Sequence, residues 1–284
     1  MPHPTGESSF THAEFRSPRA ALARPVRRLG LATRGSAGLT PEDVAHAVEQ
    51  GVNFLNWCGA ADGLSEFVAG LGPRRAEVAV CVQFEARTAT DASREFEHIL
   101  AQLRTDFIDV LTFYYVEERA EWEQIVGPGG ALEFCDAARR DGRVRMLGVT
   151  SHQRRLAAEM ARSGLLDMLM IRYNAAHRRA ESEVFPVTAA SGLPVVVYTC
   201  LRWGALLRPT PDDPPDFVVP AAPAWYRFAL QHPAVTVALM APENRAELDE
   251  DLQALHYGEP LPAEEYERLA AHGQRVRRHA GLFP

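Results

Sequence analysis

The feature that most constrains this chain is an eightfold alternation of short apolar runs with helical stripes. The runs fall at residues 26–32, 53–56, 78–82, 109–114, 145–150, 167–172, 194–198 and 236–240. The third, Val78-Ala79-Val80-Cys81-Val82, has no polar position, as expected of a strand buried on both faces of a parallel sheet. Between the runs lie helical patterns at 41–50, 64–71, 92–103, 131–140, 154–163, 181–191, 223–231 and 244–255, with a further one at 263–277. In the third pattern Phe96, Ile99, Leu100 and Leu103 share one stripe. Thr40-Pro41-Glu42-Asp43 is a helix start, with a capping threonine, proline at the first helical position and acids in the first turn. Gly51 is a stop. Strand–helix alternation with short links predicts an α/β fold, a closed (β/α)8 TIM barrel, as a single domain over residues 25–284. Residues 1–24, polar and proline-containing, read as a loose lead-in. Residues 208–223, rich in proline and aspartate, read as a covering loop.

In such barrels the chemistry sits at the C-terminal ends of the strands. That rule selects Asn56 and Trp57; Gln83 and Glu85; Tyr114, Tyr115 and Glu117; Thr150, Ser151 and His152; Arg172 and Asn174; Tyr198, Thr199 and Arg202; and Pro242, Glu243 and Asn244. A polar, aromatic mouth over an apolar barrel suits a small-molecule substrate.

Composition excludes other classes. A net charge of −7 argues against a nucleic-acid partner. All 30 basic residues are arginine, so no lysine can form a Schiff base or tune a neighbouring tyrosine. Cys58, Cys81, Cys135 and Cys200 are far apart without a CxxC pair. They read as buried small hydrophobes in a reducing compartment, with no metal site. No run reaches the ~18 apolar residues of a membrane span, and the stretch MPHPTGESSFTHAEF lacks the apolar core of a secretory signal. A cytoplasmic protein with no membrane partner is expected. Nothing in the residues addresses oligomeric state.

Several segments carry a family resemblance across about residues 26–256. GVNFLNWCGAADG resembles the aldo-keto reductase signature Gly-Ile-Asn-Phe-Phe-Asp-Thr-Ala-x-x-Tyr-Gly, with the frame kept at Gly51, Val52, Asn53 and Phe54. LRTDFIDVLTFYY, VAVCVQ, LGVTSH, DMLMIRYN, VVVYTCLRWGALL and ALMAPENRAELDEDL resemble further family segments, in order. The resemblance implies an NAD- or NADP-dependent oxidoreductase on a barrel. It also implies a nicotinamide site at Thr150, Ser151, Met170, Tyr198 and Thr199, and an adenosine end near Asn244.

The chemistry of the signature is replaced. The family's aspartate falls on Asn56, its tyrosine on Ala61 or, with one slip, Asp62, its lysine on Gln83 and its histidine on Tyr114. Carbonyl reduction needs a proton donor tuned by charged neighbours, and Asn56 and Gln83 carry no charge. Met170 replaces a glutamine. The cationic clamp for an adenosine 2′-phosphate becomes Ala241-Pro242-Glu243, which favours NAD over NADP, with Arg245 two residues on.

Three readings follow. A divergent oxidoreductase would act on a small carbonyl or alcohol metabolite, with Tyr114 and His152 as acid/base and Arg172 fixing an anionic group. A lyase, isomerase or cyclase would use Tyr114, Glu117 and His152 for protons and Arg172 and Arg202 for a carboxylate or phosphate, without a dinucleotide. A non-catalytic barrel would bind a ligand, with Trp57, Trp203 and Trp225 on its face.

Overall fold

The computed structural model describes residues 11–33 and 38–279. Eight parallel strands close into a barrel: β3 (Leu29–Ala32), β4 (Phe54–Trp57), β5 (Ala79–Phe84), β6 (Ile108–Phe113), β7 (Val144–Ser151), β8 (Met168–Arg172), β9 (Val195–Tyr198) and β10 (Val235–Met240), with β10 closing on β3. The expected architecture is present. The helices are α1 (Pro41–Glu49), α2 (Gly63–Gly70), α3 (Ala89–Leu103), α4 (Arg119–Val126), α5 (Ala131–Arg140), α6 (Arg154–Arg162), α7 (Ala180–Glu183), α8 (Phe185–Ser191), α9 (Ala222–Gln231), α10 (Arg245–Leu252) and α11 (Ala263–His279).

Strand parity sorts the side chains. Phe54, Cys81, Val110, Met146, Met168, Met170, Val196 and Val237 fill the lumen as one cluster. Their strand neighbours, such as Leu55, Val82, Leu111, Val149, Leu169 and Val197, join the larger core under the helices. The two-residue period of a strand makes this division. It also aims Asn56, Gln83, Thr150, Arg172 and Tyr198 along the lumen side and Ser151 towards the helices.

Three local expectations are corrected. Residues 11–24 are not loose: β1 (His12–Ala13) pairs antiparallel with β2 (Val26–Arg27), so the first apolar run is divided between this hairpin and the barrel. Phe15 and Leu22 are buried with Phe54, the Phe15 and Phe54 rings lying 5.3 Å apart. These apolar side chains close the lower end of the lumen, and fully burying one such phenylalanine stabilises by about 1.5–3 kcal/mol. The helix expected over 181–191 is two helices, α7 and α8, because Pro186 stands at the start of the second and cannot donate into a continuous ladder. Finally α4 was not expected: only Ile125 is buried on it, so its apolar stripe is too narrow to register as periodicity.

The expected lead-in also includes residues 1–10, which lie outside the described residues. No helix among the described residues is long and apolar enough to cross a membrane, and none of their His, Cys, Asp and Glu side chains gather as a group able to hold a metal ion.

Candidate functional site

Of the four positions at the heart of the family signature, two, Asn56 and Gln83, form a closed neutral network. Gln83 Nε2 donates to Asn56 Oδ1 at 2.7 Å and lies 3.5 Å from Met170 Sδ. Thr150 Oγ1 donates to Gln83 Oε1 at 3.2 Å. Asn56, Gln83, Thr150 and Met170 are all buried. An ion pair here would have to overcome the desolvation of two charges. The amide pair avoids that cost, and for the same reason supplies no charge to a neighbouring acid.

Asp62 does not join them. It caps α2: Asp62 Oδ1 accepts from Ser65 N at 2.9 Å, and Ser65 Oγ accepts from Asp62 N at 2.9 Å. The helix start is seated tightly, since a Cβ on Gly63 would lie 2.2 Å from the Leu39 carbonyl oxygen. The second carboxylate oxygen of Asp62 is shielded, without a hydrogen-bond partner among the described residues. Ala61 is exposed and has no proton to offer.

Beside this network stands an aromatic row. The Tyr114 ring stacks on Tyr115 at 3.9 Å, Tyr115 lies 4.4 Å from the His152 ring, and His152 lies edge-on to Tyr198 at 5.7 Å. Tyr115 reaches its place through a left-handed backbone, φ 42°, a conformation that costs a non-glycine residue of order 1–2 kcal/mol. The loop is held by residues that the strand-end rule did not select. Arg87 Nη2 donates to the Tyr114 carbonyl at 2.6 Å and pairs with Glu121 at 3.3 Å, and Glu121 accepts from Glu117 N at 2.8 Å.

Glu117 and His152 form the polar centre of the row. His152 Nδ1 is 3.2 Å from Glu117 Oε1, which also accepts from the His152 backbone nitrogen at 2.7 Å. Gln153 Nε2 donates to the other oxygen at 3.3 Å. Burial by itself would raise the Glu117 pKa, but the hydrogen bonds from His152 and Gln153 outweigh it and hold the carboxyl below its usual range. The Tyr114 phenol is pushed far up, first by burial and then by the Tyr115 hydroxyl. It is a neutral donor and no base near neutral pH. Burial also drives Tyr198 well up, and its shielded hydroxyl has no hydrogen-bond partner among the described residues. Arg172 shares a pocket with His152. Its pKa is lowered by burial and supported by Tyr198, Tyr115 and Glu117. Tyr114, His152 and Arg172 are therefore brought to the same side of the mouth.

The expected cofactor residues are largely engaged with the protein itself. Thr150 is bonded to Gln83, and the Ser151 hydroxyl accepts from Gln153 N at 3.1 Å. Thr199, at φ 55°, donates its hydroxyl to the Tyr198 carbonyl at 2.7 Å. Asn244 caps α10 by accepting from Glu247 N at 3.0 Å. Arg245 is paired with Asp249 at 2.9 Å and Asp43 at 3.3 Å. Asp251 on α10 is buried and accepts from Tyr226 Oη at 2.9 Å. Each of these hydroxyl and amide groups thus has a partner within the protein. Trp57 and Trp225 are core residues, and Trp203 is exposed, so the three tryptophans do not share a binding face.

A family model described as "Aldo/keto reductase family" matches residues 33–222. The fold is similar to aldo-keto reductase AKR11C1 from Bacillus halodurans in its holo form, with TM-score 0.71 and 19% identity over 92% of this chain and 96% of that one. It is also similar to an aldo-keto reductase from Klebsiella pneumoniae in complex with NADPH, with TM-score 0.71 and 18% identity over 91% and 95% of the two chains.

Proposed function

We propose, from the premise that this chain belongs to the aldo/keto reductase family, that it is an oxidoreductase of that family whose acid–base centre has moved from the signature positions to Glu117 and His152. The substrate is a small carbonyl or alcohol metabolite with an anionic group. The observation that carries this reading is the carboxylate–imidazole pair at the barrel mouth, with Glu117 Oε1 3.2 Å from His152 Nδ1.

The pair has the order that proton transfer needs. A carboxylate accepts the Nδ1 proton, orients the ring and leaves Nε2 for the substrate oxygen. When Nε2 takes a proton, the adjacent carboxylate stabilises the imidazolium. Tyr114, kept neutral by burial, can donate a hydrogen bond to negative charge developing on that oxygen. Arg172 presents a planar guanidinium suited to a carboxylate or phosphate edge. The half-buried rings of Tyr114 and Tyr198 flank this side of the mouth.

A nicotinamide dinucleotide is the redox partner that family membership calls for, and NAD is favoured over NADP. At the expected adenosine end Glu243 N donates to the Glu247 carboxylate, and Arg245 is already paired with Asp43 and Asp249. The engaged amide-binding residues favour a second reading, in which the same acid–base set runs a lyase, isomerase or cyclase reaction without a dinucleotide. Titration with NADH and NADPH, read by cofactor fluorescence and followed by turnover assays on small 2-oxo and 2-hydroxy acids, separates the two. Saturable binding with His152-dependent turnover supports the oxidoreductase. Absence of binding at millimolar dinucleotide removes it and leaves the second reading.

A further inference from the structure

We propose that Arg87 is a positioning residue for the proton-transfer pair. Through Glu121 and the Tyr114 carbonyl it sets where Glu117 stands, and so which ring nitrogen of His152 carries the proton. The inference rests on the reading of Glu117 and His152 as the acid–base centre and deepens it, since the device lies outside the pair.

Arg87 sits in the turn that joins the end of β5 to α3. That turn is fixed by Glu95 of α3, whose two carboxylate oxygens accept from Glu85 N and Ala86 N at 2.8 Å each. From this platform the guanidinium reaches across to the neighbouring loop. Nη1 donates to the Glu85 carbonyl at 2.8 Å and Nη2 to the Tyr114 carbonyl at 2.6 Å, while Nε and Nη2 donate to Glu121 Oε1 at 3.4 and 3.3 Å. A planar fork with fixed donor directions can hold acceptors on two loops at once. The side chain is 17% exposed, so these bonds are screened less than those of an open surface pair.

Between Tyr114 and Glu117 the held loop passes through the left-handed turn at Tyr115, φ 42°. Such strain persists only where the surroundings over-determine it. Here the ties are Arg87 on the Tyr114 carbonyl, Val116 N donating to the Thr150 carbonyl at 2.9 Å, and Glu117 N and Glu118 N donating to Glu121 Oε2 at 2.8 and 3.0 Å. Glu121 therefore gives one oxygen to the guanidinium and the other to the amide of the residue whose carboxylate touches His152. The one buried residue of α4 is Ile125, a turn further on, so the first turn of that helix is tied to the barrel through Glu121.

The chemical consequence lies in the ring. Glu117 Oε1 faces His152 Nδ1 at 3.2 Å. The hydrogen bond made by one imidazole nitrogen decides the state of the other. A carboxylate beside Nδ1 keeps the proton there and leaves Nε2 free to act as a base, whereas an unheld imidazole favours the opposite tautomer. Cutting the clamp lets Glu117 move from the ring, and His152 then carries its proton on the nitrogen that should accept one.

The test is nitrogen NMR of the full chain labelled at histidine, at a pH where the ring is neutral. The His152 signals are assigned by their loss in His152→Gln. Wild type is compared with Arg87→Gln, with Glu121→Gln and with a control, Arg94→Gln, at an exposed position of α3. Wild type and the control should hold His152 mainly as the Nδ1–H tautomer. Both clamp variants should lower that fraction about twofold or more. Their turnover should fall about 10–100-fold with KM within about threefold, as for a displaced acid–base group. Glu121→Gln, which keeps the side-chain shape, carries the test if Arg87→Gln fails to fold. A wild-type ring protonated on Nε2, or clamp variants with the tautomer of the control, overturns the proposal. The tautomer is read without turnover, so an activity indifferent to His152→Ala would remove the acid–base assignment and leave the hold of Arg87 on the ring standing.

Discussion

Glu117 Oε1 accepts from the His152 backbone nitrogen at 2.7 Å and lies 3.2 Å from its ring Nδ1. One carboxylate thus fixes both the position and the ring orientation of the imidazole, across two neighbouring strand ends. If the pair moves the reaction's proton, His152→Ala lowers kcat by ~10²–10⁴-fold, the usual range for loss of an acid–base group. Glu117→Gln keeps the shape but loses the charge, and should shift the acidic limb of the pH–rate profile. Steady-state rates against pH for both variants check this. A His152→Ala enzyme within threefold of wild type (about 0.6 kcal/mol) would rule the pair out.

The Asn56–Gln83 bond makes a second expectation. Asn56→Asp or Gln83→Lys alone places an unmatched charge among Thr150, Met170 and a buried amide, costing about 3–5 kcal/mol. The double variant pairs the two charges and should recover part of that loss. Urea unfolding of the four proteins gives the coupling energy directly. Purely additive losses would mean that the two side chains do not act as a pair.

Asp62 is expected to matter for stability and not for turnover. Asp62→Ala removes the bond to Ser65 N and should cost about 0.5–2 kcal/mol, the range for a lost helix cap. Asp62→Asn, which can still accept that bond, should leave both stability and kcat near wild type. Loss of activity in Asp62→Asn with His152→Ala unaffected would return the acid–base role to the signature loop.

For the dinucleotide, NAD should bind no worse than NADP if, as the family resemblance implies, Glu243 falls at the position of the cationic phosphate clamp. Competition between the two in an equilibrium titration checks the order. A tenfold preference for NADP, about 1.4 kcal/mol, would mean that Arg245 leaves Asp43 and Asp249 to take the phosphate.

Asp251 links pH to stability. Burial, partly offset by the bond from Tyr226, raises its pKa to about 7 in the folded chain. A carboxyl with a raised folded pKa contributes stability that is complete below its unfolded pKa, ~4, and lost as pH rises through the folded value. Between those limits the native chain binds more protons than the unfolded one, so stability falls as pH rises, by on the order of 2–4 kcal/mol. Asp251→Asn should remove that slope. Denaturant midpoints at acidic and alkaline pH in both proteins measure it, and parallel pH curves would show that Asp251 is not responsible.

The barrel was legible because its signal is local. Buried strands between helices write their period into neighbouring residues, as in Val78-Ala79-Val80-Cys81-Val82 and in the stripe of Phe96, Ile99, Leu100 and Leu103. The strand-end rule also selected Asn56, Gln83, Tyr114, Thr150 and Tyr198, and the resemblance added Met170, which lies 3.5 Å from Gln83 Nε2. Asp62 could have been recognised as a cap from the serine three residues on. The lower hairpin was missed because Phe15 and Leu22 are isolated apolar residues in polar surroundings, and their burial depends on a barrel end that exists only after closure.

By itself, then, the order of residues determined the barrel, its strand ends and the loss of charge at the signature positions, since each depends on a short window or on one residue's chemistry. The tertiary structure alone decided which polar groups are engaged with one another and which face a cavity. Gln83 meets Asn56, Thr150 and Met170 across separations of 27, 67 and 87 residues. Such pairings arise when distant strand ends are carried together by ring closure. No local period encodes them, because hydrogen bonds and ion pairs depend on distances that the fold sets.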